Sequence, residues 1–287
     1  MCIDLVIYAT WGRVLQSLHR GEKVVGVTSL DNHLYLLRSS MPSDQLEVFD
    51  KDTYRLQRKL TVPGYIRGQD ITACEHNRCA YISDGENRCV RRVALPDADA
   101  VTRWPVNDTP AGLSVTASHS VLVTCIEVRK VKEFSTDGLL LRQLQLPEDI
   151  FAPHHTVQLS SQQLLVCHGE YFDLQGLHRV CLIASNGQVV KSYGRSRGSG
   201  SKQMNGPGHL LAVDRNKFVF AVDRGNSRVL LLSPSLTYVR DMLSHNQLEG
   251  YPESLYLDEN KRRLYVAVND FDGGGRVVVV NVNYRPN

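Results

Sequence analysis

The sequence predicts an all-β fold, a six-bladed β-propeller with four antiparallel strands per blade, closed by an amino-terminal outer strand in the last blade. Three observations carry this. Helical periodicity is nearly absent, and short alternating or continuous apolar runs recur between turn residues instead. The runs recur at a fixed interval, with inner strands beginning near Val27, Ile71, Leu113, Val157, Leu210 and Leu255, separated by 44, 42, 44, 53 and 45 residues; periods of this size point to propellers. The ends are complementary: the sixth unit runs out after its third strand, Val277 to Val282, while 12–18 reads as an outer strand without a blade.

The clearest unit spans 206–243. Leu210-Leu211-Ala212-Val213 gives the inner strand, Phe218 to Val222 the second, Val229 to Leu232 the third, and Thr237 to Leu243 the outer one. Applied along the chain, this grammar divides a single domain, 1–287, into blades at about 24–60, 68–104, 109–146, 150–193, 206–243 and 251–282, the last completed by 12–18. The long fourth interval is accounted for by two insertions, at 169–177 and 195–205. Closing the ring in this way removes the free sheet edges that invite aggregation.

Composition is that of an ordinary globular chain, with 42% hydrophobic and 22% charged residues and a net charge of only +3. The charge permits nucleic-acid binding without arguing for it. Seven cysteines is an odd number, most sit inside apolar strand patterns, and no spacing matches a paired zinc motif. A reducing, cytoplasmic compartment is the expectation. No apolar run approaches a membrane span, and no basic-led signal peptide precedes the first strand.

Ala221-Val222-Asp223-Arg224-Gly225-Asn226-Ser227-Arg228-Val229 resembles the strand–Asp–x–x–Asn–x–Arg–apolar core of NHL repeats, found in tripartite-motif NHL proteins. Tyr81 to Asn87 follows the same core, with Cys89 in place of the Arg. The resemblance implies a six-bladed propeller and a recognition role. In this pattern Asn and Asp suit the tight turn, and an Arg fork can tie the turn to the Asp carboxylate.

Loops entering the inner strands and loops joining second to third strands share one face, the channel face, where function is expected. The positions just before the inner strands bring Asp70, His154, His155, His209 and Glu253 to the channel mouth. Imidazoles and carboxylates of this kind could hold zinc or calcium, or work as an acid/base pair; equally, they could hydrate the channel and cap strand ends. Pro153-His154 resembles the inner-strand opening of peptide-amidating lyases, zinc propellers, but the other blades do not repeat it in register.

The insertion after His168 carries Tyr171 and Phe172, adjacent aromatics suited to a protein contact or a stacked base. Arg88, Arg91, Arg195 and Arg197 would add a broken basic crescent. No nucleophile elbow or phosphate-cradling loop occurs. The expectation is therefore a non-catalytic recognition module, monomeric by itself and without a cofactor, that binds a protein or a single-stranded or structured RNA. The alternative is a zinc- or calcium-dependent lyase or hydrolase working at the mouth.

Overall fold

The computed structural model describes residues 14–18, 20–62, 67–160, 162–169, 176–200 and 202–282, without the side chains of 207–209. Two short amino-terminal strands, β1 (Val14–Ser17) and β2 (Gly21–Glu22), precede the first blade. That blade is β3 (Val24–Leu30), β4 (His33–Arg38), β5 (Gln45–Asp50) and β6 (Leu56–Thr61). The second is β7 (Gly68–Cys74), β8 (Cys79–Asp84), β9 (Cys89–Ala94) and β10 (Val101–Pro105); the third is β11 (Pro110–Val115), β12 (Val121–Cys125), β13 (Lys130–Phe134) and β14 (Leu140–Gln145). The fourth comprises β15 (Pro153–Ser160), β16 (Gln163–His168), β17 (Leu177–Ala184) and β18 (Val189–Ser196). The fifth has β19 (Pro207–Val213), β20 (Val219–Asp223), β21 (Arg228–Leu232) and β22 (Tyr238–Leu243), and the sixth β23 (Tyr251–Asp258), β24 (Arg263–Asn269) and β25 (Gly274–Asn281).

Each blade is an antiparallel meander, and the inner strands β3, β7, β11, β15, β19 and β23 pack in cyclic order, with β23 against β3. In the sixth blade β1 pairs antiparallel with β25, Val14 opposite Val280 and Ser17 opposite Val278, so the amino-terminal segment supplies the missing outer strand as the sequence predicted. Leu18 continues the ladder by donating its N–H to the Val277 carbonyl, and β2 pairs with the start of β25.

Among the described residues the core is divided into six clusters, each between two neighbouring blades. Side chains of one strand alternate between them. Leu264, Val266 and Val268 of β24 face blade five, whereas Tyr265 and Ala267 face blade one. Phe220 and Val222 of β20 face blade six, while Val219 and Ala221 face blade four. A strand buried on both faces reads as a continuous apolar run, which is why Val277-Val278-Val279-Val280 carries no polar alternation. Six of the cysteines, Cys74, Cys79, Cys89, Cys125, Cys167 and Cys181, are buried free thiols. The only helical turns among the described residues are Arg224–Asn226 and His245–Leu248, and none is long enough to cross a membrane.

The inner strands begin about three residues earlier than the apolar runs suggest. Near its start each is irregular: Val25 stands between the paired Val24 and Gly26, Gln69 between Gly68 and Asp70, His154 between Pro153 and His155, and Glu253 between Pro252 and Ser254. The same break falls at 111–112 and at 208–210. An extra residue in one strand disrupts the two-residue alternation, so the run looks shorter than the strand. Similarly β18 extends to Ser196, which places Arg195 in an outer strand rather than in the linker expected from the sequence.

Leu18 is buried with Val24, Val277 and Val279 at the closure. Leu18→Ala is expected to lower the unfolding free energy by about 2–4 kcal/mol, as core truncations of this size do, read from urea denaturation. A cost near zero would show that the closure does not stabilise the ring.

Candidate functional site

The irregular strand starts turn the mouth positions inward, and the polar side chains there tie one blade to the next. Asp70, 1% exposed, accepts the backbone N–H of Ile71 through Oδ1 (2.7 Å) and that of Leu113, in the next blade, through Oδ2 (2.7 Å). His155 lies on the other side of the same residue. Its Nε2 is 3.0 Å from the Leu113 carbonyl, and its Nδ1 is 3.2 Å from the backbone nitrogen of Leu211 in blade five. Because Leu211 N–H can only donate, Nδ1 must accept and Nε2–H must donate to Leu113. Asp70 and His155 thus hold four consecutive blades through two backbone positions, Leu113 and Leu211.

Burial pushes the Asp70 carboxyl up to about 8 despite its two N–H donors, and holds His155 down to about 4 and therefore neutral. Gly112 permits the approach: a Cβ there would lie 2.5 Å from the His154 carbonyl oxygen and 2.5 Å from the His155 ring.

The other mouth residues do not converge with these two. His154 Nε2 is 3.1 Å from the Gly169 carbonyl, in its own blade. Glu253 accepts from Arg224 Nε at 2.9 Å and has Lys23 at 3.7 Å. The His209 side chain lies outside the described residues. Among those described, no three His, Cys, Asp or Glu side chains are grouped as metal ligands. From Asp70 and His155 at the mouth a cavity of about 250 Å³ runs along the axis, lined by Val27, Ile71, Val157 and Leu255, with Thr28, Thr72 and Ser114 as further polar groups.

A second device is repeated at the channel face of every blade, where a cation braces the region around the second-to-third-strand turn. In blade five Arg228 Nε donates to Asp223 at 2.7 Å and Asn226 donates to the same carboxylate at 2.8 Å, the arrangement the sequence pattern implied. In blade two, where Cys89 replaces the Arg, Arg91 takes over. It lies two residues on, on the same side of β9, and its Nε donates to Asp84 at 2.9 Å. Arg38 pairs with Glu47, Lys132 approaches Asp108 at 3.7 Å, Arg179 binds Asp149 at 2.6 Å, and Arg276 pairs with Asp270. Arg179 also donates from Nε to His168 Nε2 at 3.1 Å.

The candidate partner-binding residues separate accordingly. Arg91 is a buried brace, with 6% of its side chain exposed. Arg88 is exposed and has Glu127 at 3.6 Å. Arg197 donates to Asn205 Oδ1 at 2.6 Å, and Arg195 sits on the blade-four rim. Tyr171 and Phe172 lie outside the described residues.

What sequence reasoning missed is a set of apolar side chains on the channel-face loops. Met41 (74% exposed) and Phe271 (66% exposed) stand on second-to-third-strand turns, with exposed Val128 on a third such turn. Phe151 is exposed on the loop entering blade four, and Leu177 at the start of β17. Phe271 packs edge-on to Tyr251, ring centroids 4.6 Å apart, and the Arg224 guanidinium lies 5.2 Å from the Tyr251 ring centre. The signal was present: Asp270-Phe271-Asp272-Gly273 sets a large apolar residue inside an Asp/Gly turn, where nothing in the blade needs it.

No family model matches the chain, and no curated protein matches it in sequence. Solved structures do match its shape. A streptogramin B lyase superposes with a TM-score of 0.61 at 9% identity, over 96% of this chain and 100% of that one. The WD40 β-propeller domain of Doa1 gives 0.59 at 11% identity, over 92% and 95%. A protein of unknown function from Bacteroides caccae gives 0.62 at 16% identity, over 84% and 85%. These likenesses show the fold, a six-bladed β-propeller. The narrower NHL resemblance has no family match behind it.

Two outcomes test the site. Arg91→Met leaves the Asp84 carboxylate, fully buried, without its cation; unfolding should become easier by about 3 kcal/mol, and a loss below about 1 kcal/mol would mean that Asn87 alone suffices. For His155 the folded-state pKa lies below the unfolded one, so the unfolded chain takes up a proton that the folded ring refuses. Stability attributable to this group is full above pH 6.5 and is lost as pH falls toward about 4. Urea titrations across that window should show a steeper loss in the wild type than in His155→Gln; parallel curves would remove His155 from the explanation.

Proposed function

We propose that the chain is a non-catalytic recognition propeller that holds a protein partner on its channel face. The observation that carries this reading is the apolar crown of Met41, Val128, Phe151, Leu177 and Phe271 around a mouth whose Asp70, His155 and Glu253 side chains are engaged in ties within and between blades. Large apolar and aromatic side chains with arginine beside them are what protein interfaces concentrate. On the channel face the cations of the expected crescent favour protein over RNA, since Arg88 has Glu127 beside it, Arg91 is buried and Arg197 donates to Asn205, while Arg195 lies on the rim. A compensated surface gains little from phosphate contacts. Kinship with NHL propellers, supported by the braced Asp–x–x–Asn turns of blades two and five, and a cytoplasmic location belong to the same proposal.

The lyase among the shape neighbours favours a second reading, a zinc- or calcium-dependent lyase or hydrolase using Asp70, His154 and His155 at the mouth. The two readings separate in one series. Phe151→Ser combined with Phe271→Ser alters exposed side chains, so the melting temperature should stay within about 2 °C, while the affinity for the protein partner captured from cell extract falls about tenfold or more. Unchanged capture by the double variant would sink the recognition reading. Retention of RNA instead, lost in moderate salt, would redirect it to nucleic acid. Stoichiometric zinc or calcium in the purified protein, lost in His154→Ala, would replace it with the enzymatic reading.

A further inference from the structure

A groove of about 550 Å³ opens on the outer rim where blade four meets blade five, running from Leu177 at the channel face along β18. Its floor is Tyr193 and Leu236, both buried; its walls include Lys191, Arg195, Lys202 and Tyr238. Lys191, Tyr193 and Arg195 are alternate residues of β18 and therefore share one face of the strand. With Arg179 committed to Asp149 and Asp241 turned to the Tyr238 hydroxyl, the groove keeps a net positive wall. Among the described residues Lys191, Arg195 and Lys202 have no ion-pair partner.

The contrast with other outer strands is direct. On β6, Arg58 is paired with Asp97 and Lys59 with Glu47; on β14, Arg142 is paired with Glu133. Native sheets commonly place charge on outer strands to discourage pairing, and these neutralised pairs do no more than that. β18 is different in two respects: among the described residues it sets two unpaired cations, Lys191 and Arg195, on one face where β10 has the single Arg103, and at eight residues it is the longest outer strand described, hydrogen-bonded to β17 on one edge.

We infer that this rim groove binds an extended acidic peptide, which adds as a fifth strand to the free edge of β18. Strand addition supplies backbone hydrogen bonds, and alternate side chains supply specificity. Directly opposite residues of adjacent strands share a face, which fixes the pattern of the ligand. Carboxylates at two positions four residues apart, about 13 Å along a strand, meet Lys191 and Arg195. The apolar residue midway between them covers Tyr193 beside Leu236 and Tyr238. The recognised motif is acid–x–apolar–x–acid, and the site touches the channel-face surface proposed above only at Leu177.

Fluorescence anisotropy with the whole chain and a labelled peptide Thr-Glu-Thr-Phe-Thr-Glu-Thr tests this. The peptide should bind with an affinity that weakens as salt rises, and a Lys-for-Glu version should bind about tenfold less well or worse. Lys191→Gln with Arg195→Gln, both exposed positions, should lower affinity about tenfold with the melting temperature unchanged. Two further peptides, N-methylated on odd or on even residues, keep every charge; one of them should lose binding because its pairing edge is blocked, the other should retain it. Equal binding by the Glu and Lys peptides, or by both N-methylated forms, would overturn the inference, as would no binding at millimolar peptide.

Discussion

Burial of the second strand of every blade on both faces is the constraint from which the rest of this molecule follows. Among the described residues the core is divided between neighbouring blades. Each blade is stabilised by its two neighbours, through clusters such as Phe220, Val222, Leu264 and Val266 between blades five and six. A ring built this way is stable only when closed, since an open end would leave one cluster without its other half. Val14–Ser17 and Leu18 meet that need by completing the sixth sheet and covering Val277 and Val279.

Closure in turn sets the conditions at the axis. Six sheets converge on a narrow channel, so backbones come close and polar backbone groups are taken out of water, where each needs a partner. The irregular strand starts free those groups from the ladder, and Asp70 and His155 satisfy them across blade boundaries at Leu113 and Leu211. The cost is a carboxyl and an imidazole whose titration is displaced by burial. Perturbed groups in a cleft often mark catalysis; here their hydrogen bonds run to main-chain atoms, and their role in the fold follows from the same geometry.

Function then falls to the surfaces that closure leaves free. The channel-face loops expose Met41, Phe151 and Phe271, none of which contributes to a blade cluster. On the rim, β18 exposes a sheet edge beside cations that have no ion-pair partner among the described residues. Large exposed apolar residues on loops held by a rigid scaffold are what the proposed recognition role rests on, and the scaffold here is braced in every blade by a cation and its acceptor.

The blade count, the strand order and the amino-terminal closure were legible in the sequence, because two-face burial writes itself as apolar runs with a repeating period. The braced turn of blade five was legible too, since Asp223, Asn226 and Arg228 are close in sequence. Local spacing could not reveal Arg91 replacing Cys89, because the decision rests on which face of β9 points at Asp84. Nor could it show that His154 and His155 part company, one toward Gly169 and one toward Leu113, since one extra residue in a strand redirects neighbours to different sides. Exposure at Phe271, the lack of an ion-pair partner for Lys191 and Arg195 among the described residues, and the pairing of Arg88 with Glu127 depend on residues far apart in the chain. Those were decided only when the ring closed and set distant loops side by side.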